Sequence, residues 1–134
     1  MLYRELDEAY PAGRFVLTVR PTDDWWASVL GHFGGRSTPM REWIYGEGKG
    51  DPVGHEALYC ERYERHNADV TARFADRPDA LLVLRLTEGE GWPELCAFLG
   101  RPEPTRPFPR ANAAGPLTTA VNRSRDRVRR LLHR

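Results

Sequence analysis

The strongest constraint on the fold is a pair of short aliphatic, β-branched runs, FVLTV at 15–19 and ALLVLRL at 80–86, set among helix-patterned segments. Five consecutive apolar or β-branched residues in the first run suit a strand covered on both faces, as in a parallel sheet sandwiched by helices. Around these runs the periodicity changes to helical. In LYRELDEAY (2–10), Leu2, Leu6 and Ala9 recur at helical spacing, and PAG stops the segment. Residues 55–75 carry Leu58, Tyr59, Tyr63, His66, Val70 and Phe74 at a period near 3.6, with charges opposite. WPELCAFLG has Pro93 in a first-turn position and Gly100 as a C-terminal cap. The alternation predicts an α/β fold, a parallel sheet flanked by helices.

The chain has 134 residues, the size of one ordinary domain, with 40% hydrophobic and 29% charged residues. This profile argues against disorder, and a net charge of +1 gives no reason to expect a polyanionic partner for the chain as a whole. No apolar run reaches the roughly 20 residues of a membrane span. The start, MLYRELDEAYPAGR, lacks the basic and apolar regions of a signal peptide, so a cytoplasmic location is expected. In that compartment Cys60 and Cys96, without metal-ligand spacing, are expected as buried thiols. Lys49 is the only lysine beside nineteen arginines, which leaves little room for lysine-based catalysis.

Between the two strands, residues 31–54 (GHFGGRSTPMREWIYGEGKGDPVG) read as a long surface loop around one short helix. The segment RPEPTRPFPRANAAGP reads as extended chain laid over the surface. Residues 117–134 hold six arginines and one aspartate and are expected to form a basic helix. Leu117, Val121, Val128, Leu131 and Leu132 make its apolar stripe.

Arg20 ends the first strand. Thr22 then suits a helix N-cap, and Asp23 and Asp24 suit the positive end of the helix that follows. Ligands of parallel α/β sheets lie beyond the carboxyl ends of strands. Arg20 is therefore placed either to take a phosphate, with Ser28 adding a hydroxyl, or to pair locally with Asp23 or Asp24. Other chemically capable residues have plainer roles beside functional ones. His66 faces inward on a helix, where it serves packing or a site beside Tyr63. His32 and His55 flank the glycine-rich loop. Glu88 and Glu90 follow the second strand, where a carboxylate can act as a base or be solvated in a turn. Trp25, Trp26, Trp43 and Trp92 suit core or loop anchors, with Trp25 a possible partner for a purine.

YPAGRFVLTVR, WWASV, YERHNADV, GWPELCAFLG and PFPRAN, in this order and spacing, resemble the bacterial branch of the sulfotransferase family over residues 3 to 113. The resemblance implies a partial three-layer, P-loop-kinase-related fold. It also implies transfer of a sulfuryl group from 3′-phosphoadenosine 5′-phosphosulfate to a hydroxyl or amine, without a metal. In the family, an arginine at a strand end and a serine eight residues later bind the donor's 3′-phosphate, and Arg20 and Ser28 match those positions. Arg110 and Asn112 in FPRAN match a segment that approaches the nucleotide. Two departures stand out. Pro21 follows Arg20 directly, where an Asp or Asn usually intervenes. The family's first strand, its glycine-rich 5′-phosphosulfate loop and its usual histidine base precede the arginine strand, and no such residues precede Arg20 here. An N-terminally truncated domain is therefore expected, inactive or nearly so alone and with an unspecified acceptor, and able to self-associate through an uncovered sheet edge. The alternative is a non-enzymatic binding module using the basic 117–134 segment for a protein, an anionic surface or, less in keeping with its composition, nucleic acid.

Overall fold

The structure, a computed structural model, describes residues 2–109. In chain order it contains α1 (Tyr3–Ala9), β1 (Phe15–Thr18), α2 (Thr22–Phe33), α3 (Pro39–Tyr45), α4 (Glu56–Arg73), β2 (Leu81–Leu84) and α5 (Trp92–Leu99). Short 3-10 turns at Pro78–Ala80 and Leu86–Glu88 bracket β2. The two strands pair in parallel, Phe15 opposite Leu81 through Thr18 opposite Leu84, and the ladder extends one step further through the Val19 N–H to the Leu84 carbonyl at 3.0 Å. The mixed α/β architecture with a parallel sheet is the one the periodicity predicts.

The core lies where α4 meets the sheet. Phe74, at the end of α4, is 2% exposed, and its ring lies 4.9 Å from that of Phe15. Tyr59, one per cent exposed, stacks on Tyr45 of α3 at 3.6 Å and meets Trp26 of α2 edge-on at 6.0 Å. α4 thus gathers β1, α2 and α3 against itself. Pro93 sits in the first turn of α5 and Gly100 adopts the left-handed conformation, φ 64°, that closes the helix, as the sequence predicts, and the Glu94 carboxylate also accepts the Gly91 N–H at 2.7 Å. Gly91 is buried against Phe108, so the 101–109 segment is seated on the start of α5.

Several details differ from the sequence expectation. The apolar spacing of Leu2, Leu6 and Ala9 predicts an inward face for α1, yet Leu2 is 69% and Leu6 47% exposed, and the buried residue is Asp7. Ion pairing sets that orientation: the Asp7 Oδ2 accepts from Arg77 at 2.7 Å and from Arg73 at 2.9 Å. β1 is not covered on both faces by the described residues, since its burial alternates and Val16 is 43% exposed. Thr22 is the first helical residue of α2, and Pro21 occupies the cap position. The Thr22 hydroxyl donates instead to Glu64 of α4 at 2.9 Å.

Residues 31–54 do surround a short helix, α3, although α2 extends into this stretch as far as Phe33. The rest is tied together by side chains. Asp51 accepts the N–H groups of Gly35 and Val53, Arg41 donates to the carbonyls of Gly50 and Arg36, and the Tyr59 hydroxyl donates to Lys49 O. Cys96 is buried, Cys60 is half-buried, and both are free thiols; burial pushes the Cys60 thiol up. No helix among the described residues is long and apolar enough to cross a membrane.

Candidate functional site

The carboxyl end of β1 holds the most unusual polar arrangement in the described structure. Arg20 is the first residue beyond the last ladder bond, and its main chain is held by one side chain. The Tyr63 hydroxyl on α4 accepts the Arg20 N–H and donates to the Arg20 carbonyl, both at 3.0 Å. Pro21 then turns the chain, and α2 begins with Trp25 N–H bonded to the Pro21 carbonyl at 2.9 Å. A strand end, a tight turn and a helix start are thereby brought together, the geometry in which anions meet free amide groups.

The Arg20 guanidinium folds over the first turn of α2, where Nη2 donates to the Asp24 main-chain carbonyl. The local ion pair that the sequence left open does not form: among the described residues, neither Asp23 nor Asp24 is in an ion pair with Arg20. Among the described residues, the Arg20 Nε is buried without a hydrogen-bond partner. An unsatisfied buried donor of this kind costs about 1–3 kcal/mol, more when charged. It is an unusual condition for a residue that needs only an acceptor to satisfy it.

Ser28 lies one helical turn beyond Asp24 on the same face of α2. Its carbonyl is met by His32 Nδ1 at 2.9 Å. The Arg20 guanidinium therefore meets α2 at Asp24, one helical turn before Ser28. A guanidinium and a hydroxyl are donor types that bind phosphate. The carboxylates of Asp23 and Asp24 are exposed at the same turn and work against it.

The remaining sequence candidates divide clearly. Trp25 stacks face to face on Tyr63, centroids 4.3 Å apart and planes at 11°, so one of its faces is already covered. Trp92 packs on Phe108 at 4.7 Å and donates its indole N–H to Arg106 O, whereas Trp43 is 75% exposed. His66 is half-buried with its ring edge-on to Tyr3 at 5.7 Å, and burial lowers its pKa, which favours the neutral imidazole of a packing residue. His55 Nδ1 contacts the Asp51 carbonyl at 2.9 Å, a loop-ordering contact. Glu90 accepts the Arg85 N–H and lies 3.6 Å from the Arg85 guanidinium, so it closes the turn after β2; Glu88 is exposed in the 3-10 segment. Among the described residues no cluster of three His, Cys, Asp or Glu side chains is arranged to hold a metal ion. Arg110, Asn112 and the basic 117–134 segment lie outside the described residues.

The sequence reading places Tyr63 on the inward helical stripe and beside His66, and misses its contact with Arg20. One signal was present. A tyrosine rather than a phenylalanine on a buried face brings a hydroxyl that requires a partner.

The sulfotransferase domain matches in two overlapping stretches, residues 1–49 and 37–117, which together include β1, α2, α4, β2 and α5. A search of curated proteins gave no match. The first stretch contains the whole turn from Arg20 to Ser28, and with more than half of its length matched the chain belongs to the sulfotransferase domain family.

Proposed function

We propose that Arg20 and Ser28 bind the 3′-phosphate of 3′-phosphoadenosine 5′-phosphosulfate, and that the chain serves sulfuryl transfer from this donor to a hydroxyl or amine acceptor. The observation that carries the reading is the Arg20 guanidinium, which among the described residues has a buried Nε without an acceptor and is in no ion pair. A phosphate oxygen supplies both an acceptor and a counter-charge. Binding requires Nη2 to exchange its contact with the Asp24 carbonyl for one with the anion, a shift confined to one side chain. The donor, when bound, supplies the sulfuryl group. The residues here hold its nucleotide end and fix its orientation, and Arg110 and Asn112 are proposed as further contacts to it.

Transfer also needs charge stabilisation around the moving sulfuryl group. The two glycine-rich stretches do not occupy strand-to-helix turns: GHFGGRST joins α2 to α3, and GEGKGD joins α3 to α4. We therefore propose that this polypeptide alone binds the nucleotide but transfers little or no sulfuryl group. Calorimetry with 3′-phosphoadenosine 5′-phosphate tests the site. A bidentate charge-assisted contact contributes about 1.5–3 kcal/mol, so Arg20→Ala is expected to weaken binding by about 10- to 100-fold. Equal affinity in the two forms would assign Arg20 a purely structural role. The alternative, a binding module, rests on the segregated charge of residues 117–134, six arginines against one aspartate. It requires an affinity for polyanions that falls steeply with salt and vanishes when those residues are deleted.

A further inference from the structure

We propose that Tyr63 is the positioning residue of this anion site, a role that rests on reading Arg20 as an anion ligand. Three contacts from adjacent residues of α4 template the turn between β1 and α2. The Tyr63 hydroxyl binds both main-chain groups of Arg20 at 3.0 Å, the Tyr63 ring stacks on Trp25 at 4.3 Å, and the Glu64 carboxylate accepts from Thr22 at 2.9 Å. Arg20 is thus clamped at its backbone, and the helix that receives its guanidinium is clamped five residues later by the same aromatic side chain.

The division of labour inside Tyr63 makes this more than ordinary packing. A hydroxyl has one proton to donate and two lone pairs. Here the proton goes to the Arg20 carbonyl and one lone pair takes the Arg20 N–H, so the hydroxyl substitutes for the neighbouring strand that would otherwise satisfy both groups. Among the described residues, the chain at Arg20 is held without a strand on that side. The ring supplies the stability and the hydroxyl supplies the aim. Tyr63→Phe separates the two, because the stack on Trp25 survives while Arg20 loses both main-chain partners.

The expected consequence is a Tyr63→Phe protein that folds cooperatively, exchanges its Arg20 amide proton about fivefold faster or more, and binds 3′-phosphoadenosine 5′-phosphate about five- to tenfold more weakly. The diagnostic readout is the combination with Arg20→Ala. A residue that acts through Arg20 has nothing left to position once the guanidinium is gone, so Tyr63→Phe should change the residual affinity no further. Additive losses in the double variant, or unchanged affinity and Arg20 amide exchange in Tyr63→Phe, overturn the proposal while leaving the phosphate site intact. Absence of binding by the unmodified chain overturns the phosphate site and the positioning role together.

Discussion

Replacing Phe74 by alanine tests whether the α4–sheet contact is the structural base of the Arg20 turn. Phe74 is 2% exposed, its ring lies against Phe15 at 4.9 Å with planes tilted 40°, and the Arg77 guanidinium sits 4.9 Å from the Phe74 ring centre. Truncation removes the transfer free energy of a whole aromatic side chain and leaves a cavity between helix and strand. Such changes cost about 3–5 kcal/mol. A two-stranded sheet has few ways to collapse onto the void, which places the expected loss in the upper part of that range. For a chain of 134 residues, between the size classes that lose about 2–4 and 4–8 °C per kcal/mol, the melting temperature should fall by roughly 10–20 °C. Urea unfolding followed by tryptophan fluorescence gives the free energy directly, with the slope m reporting whether the unfolded reference has changed. Phe74→Leu, which keeps most of the volume, should cost clearly less than the alanine variant, and Val16→Ala on the exposed side of β1 less than about 1 kcal/mol. A Phe74→Ala loss below about 1 kcal/mol at constant m would show that the core has been located wrongly.

Two further outcomes follow from the same structure. The Arg77 guanidinium, with Arg73 beside it, holds the Asp7 carboxyl below its ordinary range, so its contribution to stability is present above about pH 4 and is lost as pH falls through the depressed value. Asp7→Asn should flatten the acid limb of a stability–pH profile, and parallel acid limbs for the two proteins would refute the ionic account. Among the described residues β1 is hydrogen-bonded on one side only, and Val16, Leu6 and Tyr10 are exposed nearby in sequence, so sedimentation over a concentration series should show self-association of the isolated chain. A constant monomer mass at high concentration would show that this edge is covered.

The parts of this fold legible in the sequence are those governed by short-range rules. FVLTV and ALLVLRL form paired strands because aliphatic and β-branched runs have few other uses, and Pro93 and Gly100 mark the ends of α5 by local backbone chemistry. The placement of Arg20 at a strand end was legible for the same reason. What escaped depended on partners far along the chain. Asp7 is buried because Arg73 and Arg77 come to it from 66 and 70 residues away, and helical periodicity contains no information about them. The contact between Tyr63 and Arg20 spans 43 residues, and the alternative pairing of Arg20 with Asp23 or Asp24 was settled by a main-chain carbonyl, which no sequence pattern weighs. Two-sided burial of β1 failed as an inference because residue type reports what a strand tolerates on each face, not what covers it.

The Asp7 clasp has a consequence for how α1 can change over evolutionary time. A helix held by an oily stripe must conserve that stripe, whereas α1 is held by one carboxylate shared between two guanidinium groups together with the contact of Tyr3 on His66, and its Leu2, Leu6 and Tyr10 positions point elsewhere. Directional charge contacts specify where the helix sits and leave its outer residues without a part in keeping it there. Drift at those positions can alter the surface that α1 presents while its register against α4 stays constant, provided that Asp7, Arg73 and Arg77 are retained as a set.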